Sequence, residues 1–202
     1  MKVNECPQCG APASITDKKC KYCSAEFIVS NLFEIINLSK TNLNKYVNHF
    51  TEITKTETSN AESFFSLGLC YLQLKMYPLS IHNFKEAITR MPENSDFYYY
   101  YALSLIKGRR PKTLHLNEAK EILEYLDTAT QLDPSIAKYD YLHSIIKYDY
   151  FRSNGLKVNP PTDIELIENA KLKKQEPEEI KIMLDYVLIR DENLISAIMQ
   201  VK

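Results

Sequence analysis

The sequence predicts a mainly α-helical protein in which antiparallel helix pairs follow one another along the chain, with a small metal-bound module at the N-terminus. Two observations support this prediction. Four of the five cysteines lie within the first 23 residues as two Cys-x-x-Cys pairs, and apolar residues recur at helical spacing through most of the remaining chain. Only four glycines occur and none are grouped. The chain therefore lacks the material for a glycine-rich phosphate loop, which argues against nucleotide chemistry.

The N-terminal cysteines have the spacing of a tetrahedral metal site: Cys6-Pro-Gln-Cys9, ten residues, then Cys20-Lys-Tyr-Cys23. A segment this short buries too little apolar surface to fold unaided, so a bound metal would supply most of its folding free energy. Gly10 permits a positive φ after the first pair, whereas the second pair has no glycine. The motif resembles the zinc ribbons found at the N-terminus of bacterial multidomain proteins.

This resemblance implies a ribbon over residues 1–28 that holds one structural Zn²⁺ per chain. Four thiolates fill the coordination sphere and leave no open position for catalysis. Rubredoxin-like iron is the chemical alternative. A pair of disulfides is disfavoured, because the opening residues resemble no signal peptide and an intracellular chain keeps its thiols reduced. The predicted ligands are Cys6, Cys9, Cys20 and Cys23.

Residues 29–60 are predicted to form a helical connector or a divergent extra repeat. Apolar residues recur there at helical spacing from Leu32 to Ile53. The polar pair Thr41-Asn42 interrupts the pattern, so we expect two helices.

A repeat begins at Ala61. It has large and small residues at characteristic positions. In chain order these are Phe64, Leu67, Gly68, Tyr71, Tyr77, Ser80, Phe84, Ala87 and Pro92. This order resembles the tetratricopeptide repeat, with serine in place of the usual alanine at residue 80. The large residues would fill the space between two antiparallel helices, while Gly68 and Ala87 let the backbones approach. The pattern predicts helices over 61–75 and 79–91, within a repeat over 61–94.

Two more units are predicted within a single repeat domain over 61–202. The second spans 95–136 and is longer than the usual 34 residues or so, because of an enlarged loop around Gly108 to Thr113. Of its four consecutive tyrosines, Tyr98 and Tyr101 are expected in the core. The third unit is degenerate over 137–175 and is followed by capping helices over 176–200. The C-terminal helices are predicted at 162–173, 176–189 and 192–200.

The resemblance also implies a partner site, because the first helices of such repeats line a concave face that holds a peptide or a helix. The middle groove positions of the family are apolar here, whereas arrays that grip a peptide carboxylate use lysine, arginine and asparagine at several of them. We therefore expect an apolar slot, filled either by a hydrophobic partner segment or by the protein's own C-terminal helices. Glu62 and Asp96 also occupy groove positions. The predicted groove residues are Phe65, Leu69, Leu72, Gln73, Tyr99, Leu103, Ile106 and Lys107.

These features predict a non-enzymatic, cytoplasmic scaffold or adaptor that binds a protein partner, with the ribbon as a second contact module. The sequence has no Gly-x-Ser-x-Gly motif, no adjacent cysteine and histidine, and no apolar run long enough to span a bilayer. One alternative is a catalytic role in the C-terminal half, where the repeat pattern is poorly matched. The main alternative is a nucleic-acid-binding or transcription-associated ribbon protein. A net charge of -1 and the lack of an aromatic stacking platform argue against it. Its support is two basic clusters: Lys18, Lys19 and Lys21, and Lys107, Arg109, Arg110 and Lys112.

Overall fold

The computed structural model describes residues 4–13, 19–25 and 27–199, in two compact units, Met1–Met91 and Pro92–Lys202. The division lies inside the predicted repeat domain, after its first helix pair. Each unit has its own set of buried apolar side chains. Among the described residues, we find no helix with the length and hydropathy that a membrane span requires.

The first unit opens with two short antiparallel strands, β1 (Asn4–Glu5) and β2 (Pro12–Ala13), in which Asn4 pairs with Ala13 and Glu5 with Pro12. The connector that follows contains a 3-10 turn at Leu32–Glu34 and one helix, α1 (Lys40–Thr56).

The prediction of two helices in this connector is wrong. Asn31 caps the single 3-10 turn by accepting a hydrogen bond from the Glu34 amide. The Ser39 side chain accepts a hydrogen bond from the Asn42 amide and starts α1, so the residues before it do not continue a helix.

The predicted first repeat is present as α2 (Ala61–Gln73) and α3 (Tyr77–Arg90), within about two residues of the expected bounds. Asn60 caps α2 by accepting a hydrogen bond from the Ser63 amide at 2.9 Å. The Ser80 hydroxyl of α3 donates to the Gly68 carbonyl of α2 at 3.0 Å, in a buried position. The serine that departs from the repeat consensus therefore bonds across the helix pair.

The second unit contains the remaining helices of the described residues, which are α4 (Ser95–Leu105), α5 (Leu116–Leu132), α6 (Ala137–Ile146), α7 (Asp163–Lys171), α8 (Pro177–Tyr186) and α9 (Glu192–Met199). The predicted enlarged loop between α4 and α5 contains a 3-10 turn at Pro111–Thr113. Helix α6 continues into a π-helical turn at Lys147–Phe151, and α7 packs against α6. The three C-terminal helices match their predictions, and Pro177 occupies the first turn of α8 as expected.

Helix α4 is buried on two sides, which corrects the expectation for its tyrosines. Tyr101 packs against α5, and the Tyr99 ring lies 5.4 Å from the Tyr139 ring of α6. Tyr99 and Tyr100 are 1% and 0% exposed, Tyr101 is also buried, and Tyr98 is only half-buried. The core assignment was right for Tyr101 and wrong for Tyr98, because a helix between two neighbours has no single buried face.

Candidate metal centre and partner face

The two Cys-x-x-Cys pairs converge on one point. The four sulfur atoms lie within 4.8 Å of one another, with Cys6 Sγ 3.5 Å from Cys23 Sγ and Cys9 Sγ 3.6 Å from Cys20 Sγ. A Zn–S bond of about 2.3 Å corresponds to sulfur–sulfur edges of about 3.8 Å in a tetrahedron. The four cysteines therefore fit a single tetrahedral ion, and none of them forms a disulfide.

Both pairs have the same local backbone. In each pair, the backbone amide of the first cysteine donates to the carbonyl of the residue five positions later at 2.8 Å. The carbonyl of the same cysteine accepts a hydrogen bond from the amide of the residue four positions later at 2.9 Å. The amide two residues on donates to its sulfur at 3.4 Å. This turn requires a positive φ at the fourth residue after the first cysteine of each pair. The angle is +73° at Gly10 and +59° at Ser24. Ser24 thus takes the conformation that glycine takes in the first pair.

The four thiols do not all ionise together without a cation among them. The N–H of Tyr22 lowers the pKa of the Cys20 thiol to about 6. The N–H of Ala25 acts to lower the pKa of Cys23, but burial and the neighbouring sulfurs outweigh it and raise that pKa to about 12. Four thiolates cannot share so small a volume unless a metal ion balances their charge, and Zn²⁺ suits four sulfur ligands.

Contacts within the first unit hold the segment with the four cysteines and the connector against the helices. The Lys45 ammonium of α1 donates to the carbonyl of Gln8 in the cysteine segment at 3.0 Å. Ser66 of α2 bonds both the amide and the carbonyl of Val29, at 3.0 and 2.9 Å. The Gln73 amide donates to the carbonyl of Ile36 at 3.1 Å. The connector therefore lies along α2.

The apolar residues predicted to line a groove are buried in their own units. On α2, Phe65, Leu69 and Leu72 are at most 4% exposed, and the Phe65 ring lies 5.5 Å from the Phe84 ring. In the second unit the same is true of Tyr99, Leu103 and Ile106, which are at most 2% exposed. Only Gln73 and Lys107 are partly or fully exposed. The cover therefore comes from the protein itself, but the segment that lies along α2 is the connector and not one of the C-terminal helices that we expected there.

Helix α8 supplies part of the cover on α4. The Lys138 side chain of α6 is 3% exposed, and its ammonium lies 3.0 Å from Asp96, 3.2 Å from Glu176 and 3.6 Å from Glu179. Burial acts to lower the pKa of Lys138, but the carboxylates, led by Asp96, raise it above its ordinary value. Asp96 occupies a groove position, so the acidic start of α8 lies at the predicted partner face.

Aromatic rings complete this cluster. The ammonium of Lys138 lies 5.2, 5.4 and 5.9 Å from the ring centroids of Tyr99, Tyr100 and Tyr139, within cation–π range. The Tyr100 hydroxyl donates to the Glu179 carboxylate. Side chains from three helices, α4, α6 and α8, therefore meet at one buried ammonium.

The basic loop is largely neutralised by acidic side chains of its own unit. The Arg110 guanidinium binds both oxygens of Asp149, with its Nη2 2.6 Å from Oδ1, and Asp149 is fully buried. Arg109 lies 2.8 Å and Lys107 3.7 Å from Glu118, and the Arg109 bond lowers the pKa of Glu118 to about 2. In the other cluster, Lys19 and Lys21 are exposed and Lys18 lies outside the described residues.

Solved structures resemble this chain over most of its length. It matches the crystal structure of MamA with a TM-score of 0.54 and 18% identity, over 79% of this chain and 86% of that one. It matches TTC0263, a thermophilic tetratricopeptide repeat protein of Thermus thermophilus, with a TM-score of 0.55 and 14% identity, over 79% and 83% of the two chains. No protein-family model and no curated protein sequence matches the chain. The helical part of the chain has the tetratricopeptide-repeat fold.

Proposed function

We propose that this chain is a non-enzymatic scaffold or adaptor of the cytoplasm, which binds a peptide or helix of a partner protein through its helical repeats. Its zinc ribbon serves as a second contact module. The tetratricopeptide-repeat fold is the observation that carries this proposal, because arrays of helix pairs present an extended recognition face. Four thiolates around one zinc ion leave no position for a substrate and require a reducing compartment.

Tyr22 supports a contact role for the ribbon. Its side chain is 75% exposed at the second cysteine turn, while its amide is fixed on the Cys20 sulfur at 3.4 Å. An exposed aromatic residue on a rigid turn loses little conformational entropy on binding, and tyrosine is enriched at interaction hot spots.

The Lys138 cluster indicates what a partner of the second unit must offer. A segment that reaches this face has to replace two glutamates at the ammonium of Lys138, Glu176 just before α8 and Glu179 within it. Asp96 would then be the one carboxylate left at this buried ammonium, and losing the other two would be costly, so we expect the partner segment to carry acidic residues there.

Site-specific photo-crosslinking tests the ribbon contact. A photo-reactive phenylalanine analogue at residue 22 of the full chain, expressed in its own cell, should form cross-links to a small set of proteins. The matched control has the same analogue at Leu172, which is 88% exposed in the second unit. Identical products at both positions would refute the ribbon contact. Cross-links at residue 22 to nucleic acid alone would favour the alternative function.

A further inference from the structure

Lys147 differs from the other buried charged residues of the chain. Five of these have an oppositely charged side chain within ion-pair distance, whereas Lys147 has none among the described residues. Its ammonium instead donates to the backbone carbonyls of Asn159 at 3.1 Å and Pro161 at 2.6 Å. The buried charged residues are Lys138, Asp140, Lys147, Asp149, Asp163 and Glu179.

Lys147 also lines a cavity of about 230 Å³ in the second unit. This volume corresponds to about eight water molecules at their liquid density. The π-helical turn Lys147–Phe151 contributes two of its wall residues, and helix α5 and the segment 157–159 contribute the others. The lining residues are Lys120, Leu123, Lys147, Phe151, Lys157, Val158 and Asn159.

The charge of the lining has one sign. Three of the seven residues are lysines and none is acidic. The exposed Lys120 and Lys157 have no carboxylate at ion-pair distance within the part of the chain that the structure describes. Leu123, Phe151 and Val158 form an apolar wall beside them. The cavity thus combines positive charge with apolar surface.

The energetics of Lys147 favour a bound anion. Burial lowers the pKa of its ammonium, while the carboxylates of Asp127, Asp163 and Glu165 raise it only from beyond ion-pair distance. Carbonyl dipoles satisfy hydrogen bonds but do not neutralise the charge, and a buried ion without a counter-ion is costly. An anion in the cavity would supply that counter-charge.

We propose that this cavity binds a small organic anion, whose phosphate or carboxylate group lies at Lys147, Lys120 and Lys157 and whose apolar body packs against Leu123 and Phe151. This site is independent of partner binding by the repeats. Phosphate and carboxylate share the oxyanion chemistry that lysines bind.

Titration calorimetry with phenyl phosphate and with benzoate tests the proposal on the full chain. At least one of them should bind with one-to-one stoichiometry. It should also bind tighter than inorganic phosphate, which has no apolar body, and tighter than phenol, which has no anionic group. The tighter of the two identifies the preferred oxyanion. Absence of binding by both would overturn the proposal, as would inorganic phosphate binding equally well.

Charge-removing variants locate the site. Lys147→Met should weaken binding at least about tenfold, because it removes a buried charge contact. Lys157→Gln, at an exposed position that leaves the fold intact, should weaken it about two- to fivefold. Lys171→Gln is the matched control, since Lys171 lies on α7 and pairs with Glu168 outside the cavity. Equal affinity in all three variants and the wild type would show that the anion binds elsewhere.

Discussion

Replacing Gly68 with alanine tests the close packing of α2 against α3. A Cβ atom at this position would lie 2.6 Å from two carbon atoms of the Phe84 ring and 3.2 Å from a third. Phe84 is fully buried and its ring also packs against Phe65. The ring therefore has little room to move away from an added methyl group.

Two opposing effects set the magnitude. Overpacking in a core costs about 1–3 kcal/mol, and the close approach at Gly68 places this site in the upper part of that range. Alanine recovers up to about 1 kcal/mol because it has the higher helix propensity. We expect Gly68→Ala to lower the free energy of unfolding by about 1–2 kcal/mol, measured by urea denaturation followed by circular dichroism.

A double-mutant cycle with Phe84→Leu assigns the loss to this contact. The smaller side chain removes ring atoms that meet the new methyl group, so Gly68→Ala should cost less in the Phe84→Leu background. Unchanged or increased stability of Gly68→Ala would refute the packing argument. An equal cost in both backgrounds would show that the loss arises somewhere other than the ring.

Arg110→Glu should lower the free energy of unfolding in urea by about 3–5 kcal/mol, because its partner Asp149 is buried. Arg109→Glu should lower it by about 1 kcal/mol, because its partner Glu118 is more exposed. Ser24→Gly should tighten zinc binding a few-fold in a competition titration, because φ is +59° at this position. Burial lowers the pKa of His143 to about 3, so the unfolded chain takes up this proton first as pH falls below the ordinary histidine value. Between pH 7 and 5 the wild type should lose about 2 kcal/mol more than His143→Gln in urea denaturation.

Each of these predictions has a clear contrary result. Equal losses for the two arginine variants would show that the burial of Asp149 has no energetic weight. Unchanged zinc affinity in Ser24→Gly would show that the serine turn carries no strain. If the stability of the wild type and of His143→Gln changed in parallel with pH, Asp127 would have to stabilise the His143 imidazolium despite screening by water. The Asp127 side chain lies 3.6 Å from His143 and is 57% exposed.

The sequence predicted features that depend on local patterns. The paired Cys-x-x-Cys spacing located the sulfur cluster, and the Gly68 and Phe84 positions predicted a close helix pair that the structure contains. The turn at Ser24 was missed, because its positive φ follows from the hydrogen bonds around Cys20 and not from residue type.

The sequence did not predict features that depend on contacts between residues far apart along the chain. Arg110 is separated by 39 residues from Asp149, its buried partner, so the loop appeared to be a free positive cluster. The Lys138 ammonium joins Asp96 to the start of α8, and no periodicity in either segment indicates that meeting. The burial of the predicted groove follows from such contacts, since repeat consensus positions do not reveal what covers them.

The zinc content of the untagged full chain tests the proposed architecture most directly. Elemental analysis should give about one zinc per chain, held by Cys6, Cys9, Cys20 and Cys23. Cys9→Ser should lose that zinc but keep most of the helical circular dichroism, because the helices have cores of their own. Stoichiometric iron, or four free thiols without metal, would contradict the zinc ribbon.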